Sequence, residues 1–240
     1  MKSVAEAVGR LREIEASAPR ADGVVCFARL YREVTEGVAL QLDAQTFQDN
    51  AFVEALDLSF AGLFFTAYDT FTRDPSKTPR AWLPLFERRA RRDIAPLQFA
   101  VAGMNAHINR DLPVALVDTC RARGLDLRDG SPEHTDYLRV NALLAKVESR
   151  VKQSYLTGWT KLADRLLHRA AHVDDVVAMW DVTRARDAAW TNGLALWHLR
   201  DEADVAAQFL LTLDRMVGLA GRGLLEPQRS VLGRLRRLLG

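Results

Sequence analysis

Residues 96–123, PLQFAVAGMNAHINRDLPVALVDTCRAR, set the character of the whole chain. From Ile94 to Met104 the sequence is apolar on every side except at Gln98, the pattern of a helix buried all round. Pro96 suits the first turn of that helix, and the helix stops before Gly124. The apolar run leads straight into Asn105, His107, Asn109, Arg110 and Asp111. His107 and Asp111 are four residues apart, so they lie one above the other on one helical face. Burying such groups unpaired costs roughly a few kcal/mol each, so they need partners, water or a ligand. Pro113 removes one helical hydrogen bond and frees the carbonyl of Asn109, which predicts a kink beside the polar group. Such a kink serves either as a functional device or as a plain bend.

Helical periodicity continues outward in both directions, and strand-like alternation is nearly absent. Helices are expected over residues 2–17, 23–42 and 50–71. The third is apolar nearly all round and should be central. The proline-rich stretch 73–84 reads as a loop, or a lid over a site. A fourth helix should start near 79–82 and run on through the arginine cluster 88–92. Ser131 and Pro132 supply a cap and first turn for a helix reaching residue 155. Further helices are expected over 158–170, 174–199, 201–220 and 227–239. The expected fold is all-α: a single-domain bundle of about eight to ten helices with a kinked central helix, spanning residues 1–240.

At 240 residues, with 48% hydrophobic and 27% charged residues, the chain can bury a full core in one domain. Its net charge of +2 gives no general attraction to nucleic acid. No apolar run reaches about 18 residues without charge, so no membrane span is expected. The first 20 residues are charged and helix-forming with no apolar leader, so a cytoplasmic protein is expected. Cys26 and Cys120 sit in apolar segments and read as small buried side chains. Phosphate-binding loops, nucleophile elbows and the H-E-x-x-H zinc motif are all absent from the sequence.

The polar candidate site residues come from three helices, with aromatics from a fourth. His107 and Asp111 have the spacing with which two side chains on one helix reach one metal ion. The same pair also suits a histidine hydrogen-bonded within a polar core. On the helix from residue 131, His134, Tyr137, Asn141 and Glu148 recur on one stripe with Leu138 and Ala145, and that stripe should face inward. His134 can equally serve as a capping-turn residue. Asp136 and Arg139 lie to one side and can pair. On the third helix Asp57 falls among Val53, Ala61, Phe64 and Tyr68, out of place on an apolar face. A buried carboxylate there needs a cation, a metal or a proton, and Arg110 or Arg139 could supply the cation. Phe64, Phe65, Tyr68, Trp180 and Trp190 are expected to add aromatic lining.

The strings FARLYREVT (27–35), FVEALDLSFAGLFF (52–65), AGMNAHINRDLP (102–113), HTDYLRVNALLA (134–145) and ARDAAW (185–190) resemble an actinobacterial family known as domain of unknown function 5995. The resemblance spans about residues 24–200 and implies a helical fold without assigning an activity. A weaker likeness is to the zinc-dependent phospholipase C and single-strand nuclease fold, which also carries a His-x3-Asp pair on a central helix. It implies one divalent ion (zinc, manganese or iron) held by Asp57, His107, Asp111 and His134. Those enzymes have more ligands than this chain offers, and they are secreted.

The expected function is therefore that of a small-molecule enzyme, of hydrolase or cyclase/lyase type, acting on a largely apolar substrate as in secondary metabolism. Asp57, His107, Asp111 and His134 form its polar centre. Asn105, Asn109, Arg110, Tyr137, Arg139, Asn141, Tyr68 and Trp180 position the substrate. If a metal binds, it activates water or a substrate oxygen; if none binds, His107 oriented by Asp111 serves as acid or base. The alternative is a non-catalytic ligand-binding or structural protein whose polar residues form a satisfied buried network.

Overall fold

The computed structural model describes residues 1–141, 143–144 and 181–227, and every regular element among them is helical. The elements are α1 (Val4–Ala16), α2 (Gly23–Asp43), α3 (Asn50–Arg73), a 3-10 turn (Pro75–Lys77), α4 (Leu83–Arg88), α5 (Pro96–Ala106), a π-helical turn (His107–Asp111) and α6 (Leu112–Arg123). They continue with α7 (132–141), α8 (Val182–His198) and α9 (Ala203–Leu224). The all-α expectation holds. The helices expected over 158–170 and 227–239 lie outside the described residues, as do residues 145–155 of the sixth helix and the start of the 174–199 helix.

The rod α5–π–α6 runs through the two large apolar clusters among the described residues. Phe99, Ala102 and Ala106 belong to the first cluster with Phe27, Phe64 and Trp82. Ile108, Leu112 and Leu116 belong to the second with Phe52, Tyr137 and Trp190. The rod is seated by α2 against α5, by α3 and α8 against α6, and by α9 against α5. Gln98, the one polar side chain in its apolar half, accepts from the Ala95 N–H (3.0 Å) and donates to the carbonyls of Leu224 (2.9 Å) and Glu226 (3.0 Å). It thereby caps α5 and anchors the end of α9.

The irregularity expected at Pro113 is the π turn. The Leu112 N–H bonds the His107 carbonyl, five residues back, and Pro113 then falls in the first turn of α6, where no amide hydrogen is needed. At the far end Gly124 takes a left-handed conformation (φ 64°) and closes α6.

Residues 73–84 are not a lid. Asp214 on α9 accepts from the backbone N–H groups of Arg80 (2.7 Å) and Ala81 (3.1 Å), and Trp82 is fully buried. Nor does α4 continue through the arginine cluster; it ends at Arg88. Close approach makes the pinning possible: a Cβ on Gly218 would stand 2.5 Å from the Arg80 carbonyl oxygen.

By length and composition α3 is apolar enough to cross a membrane. In this fold it buries Phe52, Ala61 and Phe64 in the protein's own core.

The packing at Gly218 is testable. Gly218→Ala pushes against backbone, which cannot yield as a side chain can, and should cost about 1–3 kcal/mol. Gly62→Ala, in α3 with open space around it, should instead stabilise by up to about 1 kcal/mol. Denaturant unfolding of both variants decides; equal effects would contradict the packing account.

Candidate active site

The Asp111 carboxylate has no exposure to water and is fully engaged. Its Oδ2 accepts from the Trp82 indole N–H (2.9 Å) and faces His107 Nδ1 (3.2 Å). Its Oδ1 accepts from Arg110 (2.8 Å). A carboxylate can only accept, so the proton of a neutral His107 sits on Nδ1 and leaves the lone pair on Nε2. Burial holds the His107 pKa below its ordinary value, against the pull of Asp111, so the ring is neutral near pH 7. The imidazole lies flat on Phe60 (centroids 3.5 Å apart, planes 6°), with Tyr31 edge-on at 4.4 Å. Gly103 lets the Phe27 ring close in as well, since a Cβ there would stand 2.4 Å from it.

His107 borders a cavity of about 80 Å³ enclosed by α2, α3, the central rod and α7. Its walls are mostly aliphatic and aromatic, including Val34, Val38, Val53, Leu56 and Phe60. Three buried polar atoms on these walls have no hydrogen-bond partner: His107 Nε2, Tyr31 OH and Asp57 Oδ2. Unpartnered buried groups are rare in folded proteins, and three of the seven such atoms among the described residues meet at this one cavity. Burial, reinforced by Glu54, pushes the Asp57 carboxyl up to about 7. Burial and the nearby Asp57 carboxylate push the Tyr31 phenol well above its ordinary value, so it stays protonated.

The structure thus brings together His107, Asp111 and Asp57 of the expected centre. It does not bring His134. That ring stacks on Trp190 (4.3 Å) and accepts the Gly130 N–H at Nδ1 (3.0 Å), the capping-turn role. Nor does it provide the cation expected for Asp57. Arg110 is paired with Asp111 and lies 3.6 Å from Asp214, while Arg139 is paired with Asp136, which accepts the Gln48 and Asp49 N–H groups, and donates to the Thr46 carbonyl. Among the described residues, then, the proton is what remains of the three options for a buried carboxylate.

The four-ligand metal set is not assembled. His134 is elsewhere, both Asp111 oxygens are committed, and among the described residues no three His, Cys, Asp or Glu side chains converge. The expected zinc, manganese or iron therefore finds no donor set there.

Asn105 and Asn109 face α9: Asn105 donates to the Val217 carbonyl (3.0 Å) and accepts from Asn109 (3.1 Å). Tyr137 does line the cavity, and its hydroxyl donates to the Arg186 carbonyl (2.6 Å). Asn141 accepts from the Arg186 guanidinium, which lies over the Tyr137 ring at 4.0 Å. Leu138, expected inside with them, is exposed. Phe64, Phe65, Tyr68 and Trp190 pack in the clusters and do not line the cavity; Trp180 and Glu148 lie outside the described residues. Sequence reasoning missed Tyr31, Trp82 and Phe60 as site residues. Tyr31 falls on a face with Phe27 and Val34 and looks like any core aromatic until its hydroxyl is found without a partner.

The Asp57 proton gives a stability test. A carboxyl whose pKa rises on folding binds its proton more tightly in the folded state. Its contribution is full below the unfolded value near 4 and is lost as pH climbs to about 7. Asp57→Asn removes that loss and should gain about 2 kcal/mol more over the wild type at pH 8 than at pH 5. A gain that does not change with pH would show that Asp57 has a charged partner.

Comparison with known proteins gives a family and nothing closer. No curated protein and no solved structure matches the chain. The model of a family of unknown function, DUF5995, matches residues 4–227, nearly the whole length, and the chain belongs to that family.

Proposed function

We propose that this protein is a small-molecule enzyme that moves protons in a largely apolar cavity, with His107 Nε2 as its general base. The unpartnered Nε2 carries this reading. A histidine kept only for structure would have both nitrogens satisfied, because a buried unpaired acceptor costs about 1–3 kcal/mol. Here one nitrogen is held by a carboxylate that fixes tautomer and ring plane, and the other borders an apolar space. That is the division of labour in acid–base sites where a carboxylate orients an imidazole. Asp57, with a pKa near the operating pH, can hold and release a proton across the same cavity. The chemistry needs only these side chains, so it belongs with isomerase, lyase or cyclase reactions more readily than with metal-assisted hydrolysis. A purely structural network is disfavoured because three of its members find no partner among the described residues.

His107→Gln keeps a donor for Asp111 and removes the base. Wild type and variant are incubated with a small-molecule extract of the source cells, with and without a chelator, and followed by mass spectrometry. The expected result is a compound consumed by the wild type regardless of chelator and at least about 100-fold more slowly by the variant. An extract that the folded wild type leaves unchanged, or equal consumption by both proteins, would overturn the reading.

A further inference from the structure

The cavity has a polar end and an apolar end. Along α2 the lining residues run from Phe27 through Tyr31 and Val34 to Val38, about 16 Å of helix. α3 returns antiparallel from the short 44–49 connection, so Phe52 and Val53 stand near Val38, while Phe60 lies 5.9 Å from Tyr31 and Phe64 lies 5.0 Å from Phe27. Tyr31, Asp57 and His107 therefore gather toward one end and Val38, Phe52 and Val53 line the other, while the Arg186 guanidinium, which also borders the cavity, is already engaged by Asn141 and the Tyr137 carbonyl. An occupant of this slot has one compact polar group and an aliphatic body.

The three polar atoms differ in what they offer. His107 Nε2 can only accept while the ring is neutral. The Tyr31 hydroxyl keeps its proton, and Asp57 holds one below pH 7. Two donors and one base around a largely apolar cavity suit a carbonyl oxygen that gains negative charge while a neighbouring carbon loses a proton. A tyrosine beside a protonated carboxylic acid is an established way of stabilising such an oxyanion in an apolar site. Asparagine would serve as well for a passive neutral contact, so a carboxyl at position 57 points to an exchangeable proton.

We infer that the substrate is an uncharged aliphatic ketone or aldehyde, enolised with Tyr31 and Asp57 as donors to its oxygen and His107 as the base. The inference rests on the acid–base reading of the same site and adds the substrate class and the reaction. The step balances without a co-reactant. The Cα–H proton passes to His107 Nε2, and the C–H electron pair becomes the new C=C bond. The carbonyl π pair moves to oxygen, where Tyr31 and Asp57 donate hydrogen bonds or a proton. Return of the proton to carbon gives the starting ketone or its isomer.

Two measurements test it at pH 6 on proteins confirmed as folded by thermal melting. The first needs no turnover: phenol, whose hydroxyl on an sp² carbon mimics an enol, is titrated against toluene and benzoate by NMR. Phenol should bind about tenfold more tightly than either, and Tyr31→Phe should erase its advantage over toluene. Equal binding of phenol and toluene to the wild type would mean that water satisfies the three atoms, and would overturn the oxygen site. The second follows deuterium entering the α positions of 2-butanone in D2O. Wild type should catalyse exchange, Tyr31→Phe should slow it about 100-fold, and His107→Gln should abolish it. Exchange that needs His107 but not Tyr31 would overturn the donor pair while sustaining His107 as base. Selective phenol binding without any exchange would overturn enolisation and leave the acid–base reading to the extract experiment.

Discussion

Asp111 lies beyond the reach of water and accepts from three side chains drawn from two parts of the chain: Trp82 from the segment before α4, and His107 and Arg110 from its own π turn. A buried carboxylate is tolerable only when so engaged, because taking the charge out of water costs several kcal/mol. Each partner therefore has to be delivered accurately. Trp82 is delivered by Asp214 pinning residues 80–81, and that contact exists because Gly218 lets α9 touch the Arg80 backbone. Arg110 is delivered by the π turn, which places it between Asp111 and Asp214. The fold around the rod is the scaffold for this carboxylate, and the carboxylate in turn fixes the imidazole.

Asp57 presents the opposite case within the same core. It has no cation among the described residues and one oxygen without a partner, so burial turns it into an acid that titrates near neutrality. Two aspartates, one saturated and one bare, thus sit on either side of His107 in chemical role. The first sets the tautomer and the second supplies or takes a proton. A buried carboxyl that titrates near neutrality beside a neutral imidazole is the kind of group that marks acid–base sites.

Much of this was readable in the sequence, for reasons that can be stated. Helix periodicity, caps and Gly124 depend on local physics, and they placed α2, α3 and the 96–123 rod to within a residue or two. The His107–Asp111 pair was readable because four-residue spacing is enforced by the helix itself. Asp57 stood out as a carboxylate on an apolar face. What failed depended on long-range contacts. The 73–84 stretch has the composition of a mobile loop, and only Asp214, more than a hundred residues away, makes it fixed. His134 shares a stripe with Tyr137, yet the Gly130 amide and the Trp190 ring draw it away from the cavity. Tyr31 carried no local signal, since a missing partner is a property of the packed core.

The chemistry of the site depends most on the protonation state of one ring. A long-range ¹H–¹⁵N correlation spectrum of the histidine-labelled protein, recorded near pH 6.5, reads it directly. His107 should be neutral there, where an ordinary histidine is half protonated, with its proton on Nδ1 and a free Nε2. A proton on Nε2, or an imidazolium at that pH, would mean that the nitrogen facing the cavity is not a base, and would contradict the account.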